Sequence, residues 1–224
     1  MHKLAIYDMD KTITHAPTWT RFLIVTARAR ARWRFALLPV AGVAAAAYGL
    51  KLIDRAGLKQ FTHRLMLGRA MPAAGATSAA AHFADRINAS GVFAGARARI
   101  AADRAAGYRP VMATASYRFY AAAIAERLGF GDVIGTEVER DGENRVLARI
   151  AGENCYGPAK LRMVEAWMAA EGIARGDAHI RFYSDHVSDA PVLAWADEAF
   201  AVNAHGPLRT LARQKGWPIL DWER

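Results

Sequence analysis

The sequence predicts an α/β fold: a parallel sheet with helices on both faces, plus a basic helical segment inserted near its start. Three observations carry this. Short apolar runs alternate with helical stretches, the pattern of strands joined by crossover helices. Three of the runs stop at a chemically capable residue, namely Asp8, Thr114 and Asp185. Charge is segregated: residues 11–84 hold eleven Lys or Arg against one acid, Asp54, for a net of +10, and the rest of the chain nets −1.

In chain order, Leu4-Ala5-Ile6-Tyr7 reads as a buried strand ending at Asp8. Residues 19–70 read as helical, and residues 71–80, small and containing Pro72 and Gly75, as a linker. Residues 81–106 read as helical again, closed by Gly107. Val111-Met112-Ala113 is a second strand, with Pro110 at its first residue, where a missing N–H is tolerated. Residues 117–128 form an amphipathic helix closed by Gly129. Residues 132–150 read as a β excursion around the turn at Asp141-Gly142. A helix from Pro158 to Glu171 follows, with Pro in its first turn and Gly172 as cap. His179 to Ser184 is a third strand, Pro191 opens another helix, and Phe200-Ala201-Val202 is a last strand. The domain division expected is a core of residues 1–15 and 85–224 and a basic cap of residues 16–84.

Composition narrows the function. The 224 residues include a single cysteine, Cys155, which excludes a disulfide framework and a Cys-rich zinc site. Asp8 falls where a signal peptide needs its apolar stretch, so a cytoplasmic location is expected. A basic surface confined to one segment argues against a general nucleic-acid binder and for a local surface that meets anions.

In such sheets ligands bind beyond the carboxyl ends of the strands, where the capable residues gather. Asp8 and Asp10 stand two apart just past a strand, so one carboxylate can be a nucleophile and the other a proton donor. Asp185 and Asp189 add two acids, and four carboxylates in one place call for a cation; hard oxygen ligands favour Mg²⁺. Lys160 near a helix N-terminus is opposed by the helix dipole unless it faces carboxylates or phosphate. Thr114 offers a hydroxyl at the opening of a helix, an anion site. Each has a plainer reading: Thr114 and Asp189 as helix caps, Lys160 on the surface, His186 in a solvated turn. Ser184-Asp185-His186 cannot converge as a triad. Gly152 to Lys160 lacks the Ser or Thr that follows the lysine of a phosphate-binding loop.

Taken together, Asp8-Met9-Asp10-Lys11-Thr12, the strand ending at Thr114, the lone Lys160 and the pair Asp185 and Asp189 resemble the four motifs of haloacid dehalogenase-like phosphatases, in the family's order. The long insertion after the first motif resembles the cap of the phosphoserine phosphatase-like branch. Arg28 to Arg34, the apolar Phe35–Leu50, Tyr183-Ser184-Asp185 and Val202-Asn203 resemble the phosphatidylglycerophosphatase C type. Lys11 stands where the superfamily often has Gly. Pro17 stands where phosphoserine phosphatases have a Glu that reads the substrate amine.

The resemblance implies a Rossmann-like core and a Mg²⁺-dependent phosphomonoester hydrolase. Asp8 would form an aspartyl-phosphate and Asp10 would act as acid and then base. Thr114 and Lys160 would hold phosphate, and Asp8, Asp10 (through its carbonyl), Asp185 and Asp189 would serve the metal. The substrate expected is a membrane lipid phosphate such as phosphatidylglycerophosphate; the alternative is a soluble alcohol phosphate such as phosphoserine.

The sixteen uncharged residues 35–50 are short of the ~20 that span a bilayer. They read either as an interfacial segment on an anionic membrane, flanked by Arg21, Arg28, Arg30, Arg32, Arg34 and Trp33, or as a core helix of a soluble cap.

Overall fold

A computed structural model of the chain describes residues 1–222, so the last two residues of the expected core lie outside it. In chain order the elements are β1 (His2–Tyr7), α1 (Thr18–Arg30), a 3₁₀ segment (Arg32–Leu37), α2 (Leu38–Gly49), α3 (Arg55–Leu67), β2 (Ala70–Met71), α4 (Ala73–Ser90), α5 (Ala94–Ala105), β3 (Arg109–Tyr117) and α6 (Arg118–Arg127). There follow β4 (Asp132–Arg140), β5 (Val146–Ala151), α7 (Pro158–Ala170), β6 (Ala178–Ser184), α8 (Ala190–Trp195), β7 (Glu198–Val202), α9 (Gly206–Lys215) and β8 (Ile219–Leu220).

The sheet order is β2-β5-β4-β3-β1-β6-β7-β8. The six strands from β4 to β8 run parallel, while β5 is antiparallel to both β4 and β2. The α/β class with a mostly parallel sheet is therefore the fold observed. Alternation along β1 explains its apolar run, because each face meets its own helices. Ala5 and Tyr7 join the core built with α4, α5 and α6. Leu4 and Ile6 join the one built with α7, α8 and α9. Buried Asp103 of α5 locks the first layer to the sheet, accepting from the hydroxyls of Tyr7 and Tyr183 and from Arg181.

Three sequence expectations change. The stretch 71–80 is not a linker: β2 ends at Met71 and α4 begins at Ala73. Ala76, Ala80 and Ala84 are buried against the sheet layer together with Ala121 and Ala125 of α6. Small side chains here serve close helix–helix approach, which mimics linker composition. The boundary expected at residue 84 consequently falls inside α4, a helix of the core layer. Pro110 is the second residue of β3, whose strand runs on past Thr114.

The insertion is α1, the 3₁₀ segment, α2 and α3. α3 starts on a real cap, the Asp54 carboxylate accepting from Gly57 N–H at 2.7 Å. α2 is not a core helix, since Ala44 is its one buried residue. Leu38, Val40, Val43, Tyr48, Leu50 and Leu52 are exposed in and just beyond it. Among the described residues, no helix is long and apolar enough to cross a membrane.

Candidate active site

The carboxyl ends of β1, β3 and β6 converge beneath the cap. Asp8 continues β1, its N–H donating to Tyr183 O at 2.9 Å, so the nucleophile candidate is fixed by the neighbouring strand. The chain then turns tightly, with Ile13 and Thr14 N–H both donating to Met9 O. Lys11 takes φ +62° in that turn. This left-handed geometry costs an L-residue energy and suits Gly, so Lys11 holds its turn at some strain.

Lys160 is delivered by the first turn of α7, entered through Gly157 at φ +60° and Pro158. The lysine is 2% exposed, and its ammonium donates to Asp8 Oδ1 at 2.8 Å and to Asp189 Oδ2 at 2.6 Å. Asp189 also accepts from Ser184 Oγ at 2.8 Å, so its carboxylate faces the site and does not cap α8. Burial works against the charge on Lys160, but Asp189 and Asp8 outweigh it and hold the ammonium above its ordinary pKa. Burial pushes the Asp8 carboxyl up, against the pull of Lys160.

Asp185 follows β6. Its N–H donates to Thr12 Oγ1 at 3.0 Å, and that hydroxyl has Asp8 Oδ2 at 3.2 Å and Asp185 Oδ1 at 3.5 Å within reach. Thr12 thus spaces two carboxylates that face each other. Burial first, then the charges of Asp8 and Asp189, push the Asp185 carboxyl up to about 8.

Asp10 points the other way. Its Oδ1 accepts from Thr18 N–H at the start of α1 (2.9 Å) and its Oδ2 from Ser116 Oγ (3.1 Å). Ser116 in turn accepts from Tyr120 OH at 2.6 Å. Burial raises the Asp10 pKa in spite of these donors. Thr114 is 1% exposed and its Oγ1 accepts from Ser116 N–H at 3.1 Å, leaving the hydroxyl proton to donate.

The four acids do not form one side-chain cluster. Among the described residues no three His, Cys, Asp or Glu side chains stand together as a metal nest, because Asp10 turns to the cap and Lys160 separates Asp8 from Asp189. What remains fits a hard cation nonetheless. Asp8 and Asp185 face each other across the Thr12 hydroxyl, and Asp189 Oδ1 is buried without a hydrogen-bond partner among the described residues. Mg²⁺ ordinarily needs just one or two carboxylates, completing its shell with waters and phosphate oxygens.

Several site residues escaped the sequence reading. Thr12 lay inside the first motif but had no assigned part. Ser116, two residues beyond Thr114, holds Asp10. Lys59 of α3 donates to Ala115 O at 2.5 Å and Asn154 Oδ1 at 3.2 Å, bringing a cap cation onto the core. Burial, then Arg55, lowers its pKa to about 7. Of the arginines expected on a membrane face, Arg34 is engaged elsewhere, donating to Leu65 O at 2.7 Å. His186 is stacked on His205 with ring centroids 4.3 Å apart, beside the site and not free in solvent.

Over 138 residues the chain is 33% identical to a phosphoserine phosphatase of Mycobacterium tuberculosis (strain H37Rv), a match covering 62% of this chain and 44% of the relative. Over 119 residues it is 27% identical to a histidinol-phosphatase of Neisseria meningitidis serogroup C, covering 53% and 54%. The matched stretch thus spans about half the length of these curated relatives. In fold, the chain is similar to a crystal structure of a protein of unknown function from Bordetella pertussis Tohama I, with a TM-score of 0.85, 23% identity and 99% of both chains covered. A family model of haloacid dehalogenase-like hydrolases matches residues 5–194, from the strand that delivers Asp8 to the helix beyond Asp189, and the chain belongs to that family.

Proposed function

We propose that the protein is a Mg²⁺-dependent phosphomonoester hydrolase that works through an aspartyl-phosphate on the ester of a soluble alcohol. The observation that carries this is the split between a buried and a half-buried carboxylate two residues apart: Asp8 on the core's ammonium, Asp10 on the cap. Environments that differ in this way separate a nucleophile from an acid. An Asp8 oxygen attacks phosphorus, the bond from phosphorus to the alcohol oxygen breaks, and Asp10 gives that oxygen its proton. Asp10 then takes a proton from the water that hydrolyses the acyl phosphate and regenerates Asp8. Lys160 and the Thr114 hydroxyl hold phosphate oxygens. Asp8, the Asp10 carbonyl and Asp185 would hold Mg²⁺, with Asp189 in support. When bound, the ion offsets charge on the transferring group.

The names of the curated relatives, phosphoserine phosphatase and histidinol-phosphatase, favour a soluble ester over the lipid phosphate that the basic insertion led us to expect. The test is acid-quenched single turnover with ³²P-labelled ester. Label should stay on the wild-type chain and be absent from Asp8→Asn. Steady phosphate release by Asp8→Asn refutes the mechanism.

A second reading, a lipid phosphate at an anionic bilayer, rests on α2. It presents exposed apolar side chains, and the elements that precede it in the chain carry exposed Arg21, Arg28, Arg30 and Arg32, each worth on the order of 1 kcal/mol at such a surface. Co-sedimentation with phosphatidylglycerol vesicles should then rise at low salt and fall when these arginines become Gln. A protein that stays in the supernatant ends this reading.

A further inference from the structure

A cavity of about 590 Å³ opens between α1, α2 and α3 and reaches down to Asp10 and Ser116. That volume lies within the range of small-molecule sites. Its walls are apolar: Trp19, Leu23 and Ile24 from α1, Leu38 from α2, Leu58 and Met66 from α3. The inner face of α2 contributes small residues, Ala41 and Ala45, which leave the space open. Its charged members are Asp10, Arg55 and Lys59. Asp10 is the sole carboxylate among the described lining residues, and both its oxygens already accept hydrogen bonds from Thr18 and Ser116.

We infer that this cavity receives the alcohol portion of the substrate, and that the alcohol of this soluble ester is apolar, carrying an alkyl chain and no ammonium group. The inference rests on the proposed hydrolase reading and deepens it. Position decides which part of the ester enters. Asp10 faces the leaving oxygen, so whatever continues from that oxygen past Asp10 lies in this cavity. Chemistry decides what fits. An ammonium there would be desolvated among aliphatic and indole walls beside Arg55 and Lys59, with no free carboxylate to pair with it. A methylene chain replaces water on those walls, and each buried CH₂ is worth a factor of about four in binding.

The experiment is a series of linear alkyl phosphates from ethyl to octyl, below their micelle concentrations, alongside O-phosphoserine and O-phosphoethanolamine, with Mg²⁺ and phosphate release as the readout. The value of kcat/KM should climb about three- to fourfold per methylene until the cavity is full, and octyl phosphate should exceed both amine-bearing esters by at least a hundredfold. In Ala45→Trp, which fills the cavity from α2, the octyl-to-ethyl ratio should fall at least tenfold. A flat chain-length series, or a preference for O-phosphoserine over octyl phosphate, overturns the inference while leaving the hydrolase reading intact. If no ester at all is hydrolysed, the hydrolase reading fails, and calorimetry with ethyl- and octylphosphonate decides the cavity by itself. Octyl binding at least tenfold tighter keeps an apolar ligand site there, and equal binding removes it.

Discussion

The Lys160 ammonium donates to Asp8 Oδ1 at 2.8 Å from a side chain that is 2% exposed. It also donates to Asp189, so one buried cation offsets two buried carboxylates delivered by separate elements. Removing one partner of a buried ion pair leaves charge without compensation.

Lys160→Met should therefore cost about 3–5 kcal/mol of stability in metal-free buffer, measured by urea unfolding at pH 7. Added Mg²⁺ should recover part of that loss, because the same carboxylates would then meet a cation. A loss below about 1 kcal/mol would mean that the two acids are not charged in the folded chain.

Asp10→Asn should lower turnover of an alkyl phosphate by ~10²–10⁴, the usual worth of general acid–base catalysis. The amide can still accept one hydrogen bond, from Thr18 N–H or Ser116, so the fold should persist. The defect should shrink for p-nitrophenyl phosphate, whose leaving group needs no proton. Equal losses for both esters in formation of the acyl phosphate would assign Asp10 a positioning part instead of an acid's.

What was legible in the sequence follows from how local each signal is. Asp8 and Asp185 could be placed because an apolar strand stops at each, and in a parallel sheet both stops face the same edge. The cap cation Lys59 could not, since its partners Ala115 and Asn154 are 56 and 95 residues away and nothing in its own helix marks it. α4 was misread because Ala, Gly, Ser and Thr signal a linker only when no helix lies close enough to need small residues. The two-residue β8 has no periodicity to detect; its pairing with β7 is set by the sheet edge. Asp10 was found by spacing, but its turn toward the cap depends on Thr18 and Ser116, and spacing alone placed it among the metal's acids.

Phosphate release should require Mg²⁺ and stop in excess chelator. Among the described residues no cation pairs with Asp185, whereas Asp189 is held by Lys160 and Ser184. Asp185→Ala should accordingly raise the Mg²⁺ midpoint more than Asp189→Ala, read from titrations of initial rate. The reverse order would exchange the parts of the two acids, and full activity in chelator with Mg²⁺ shown absent would remove the metal from the mechanism.

His63 of α3 is wholly buried between Trp19 and Tyr117, with ring centroids 5.8 and 5.5 Å away, and neither ring nitrogen has a partner among the described residues. Burial, reinforced by the Lys59 charge, lowers its pKa from 6.5 to about 4. The folded chain therefore prefers the neutral ring, while the unfolded chain takes up a proton first as pH falls. This contribution to stability is complete above about pH 6.5 and is lost as pH drops toward 4. Between pH 7 and pH 5 it amounts to about 2 kcal/mol. His63→Phe keeps an aromatic ring in the site and removes the titration, so its loss of stability over that interval should be smaller than wild type's by about that amount, measured by urea unfolding at both pH values. Equal losses for the two proteins would show that the ring titrates without cost, which requires water or an acceptor to reach it in the folded cap.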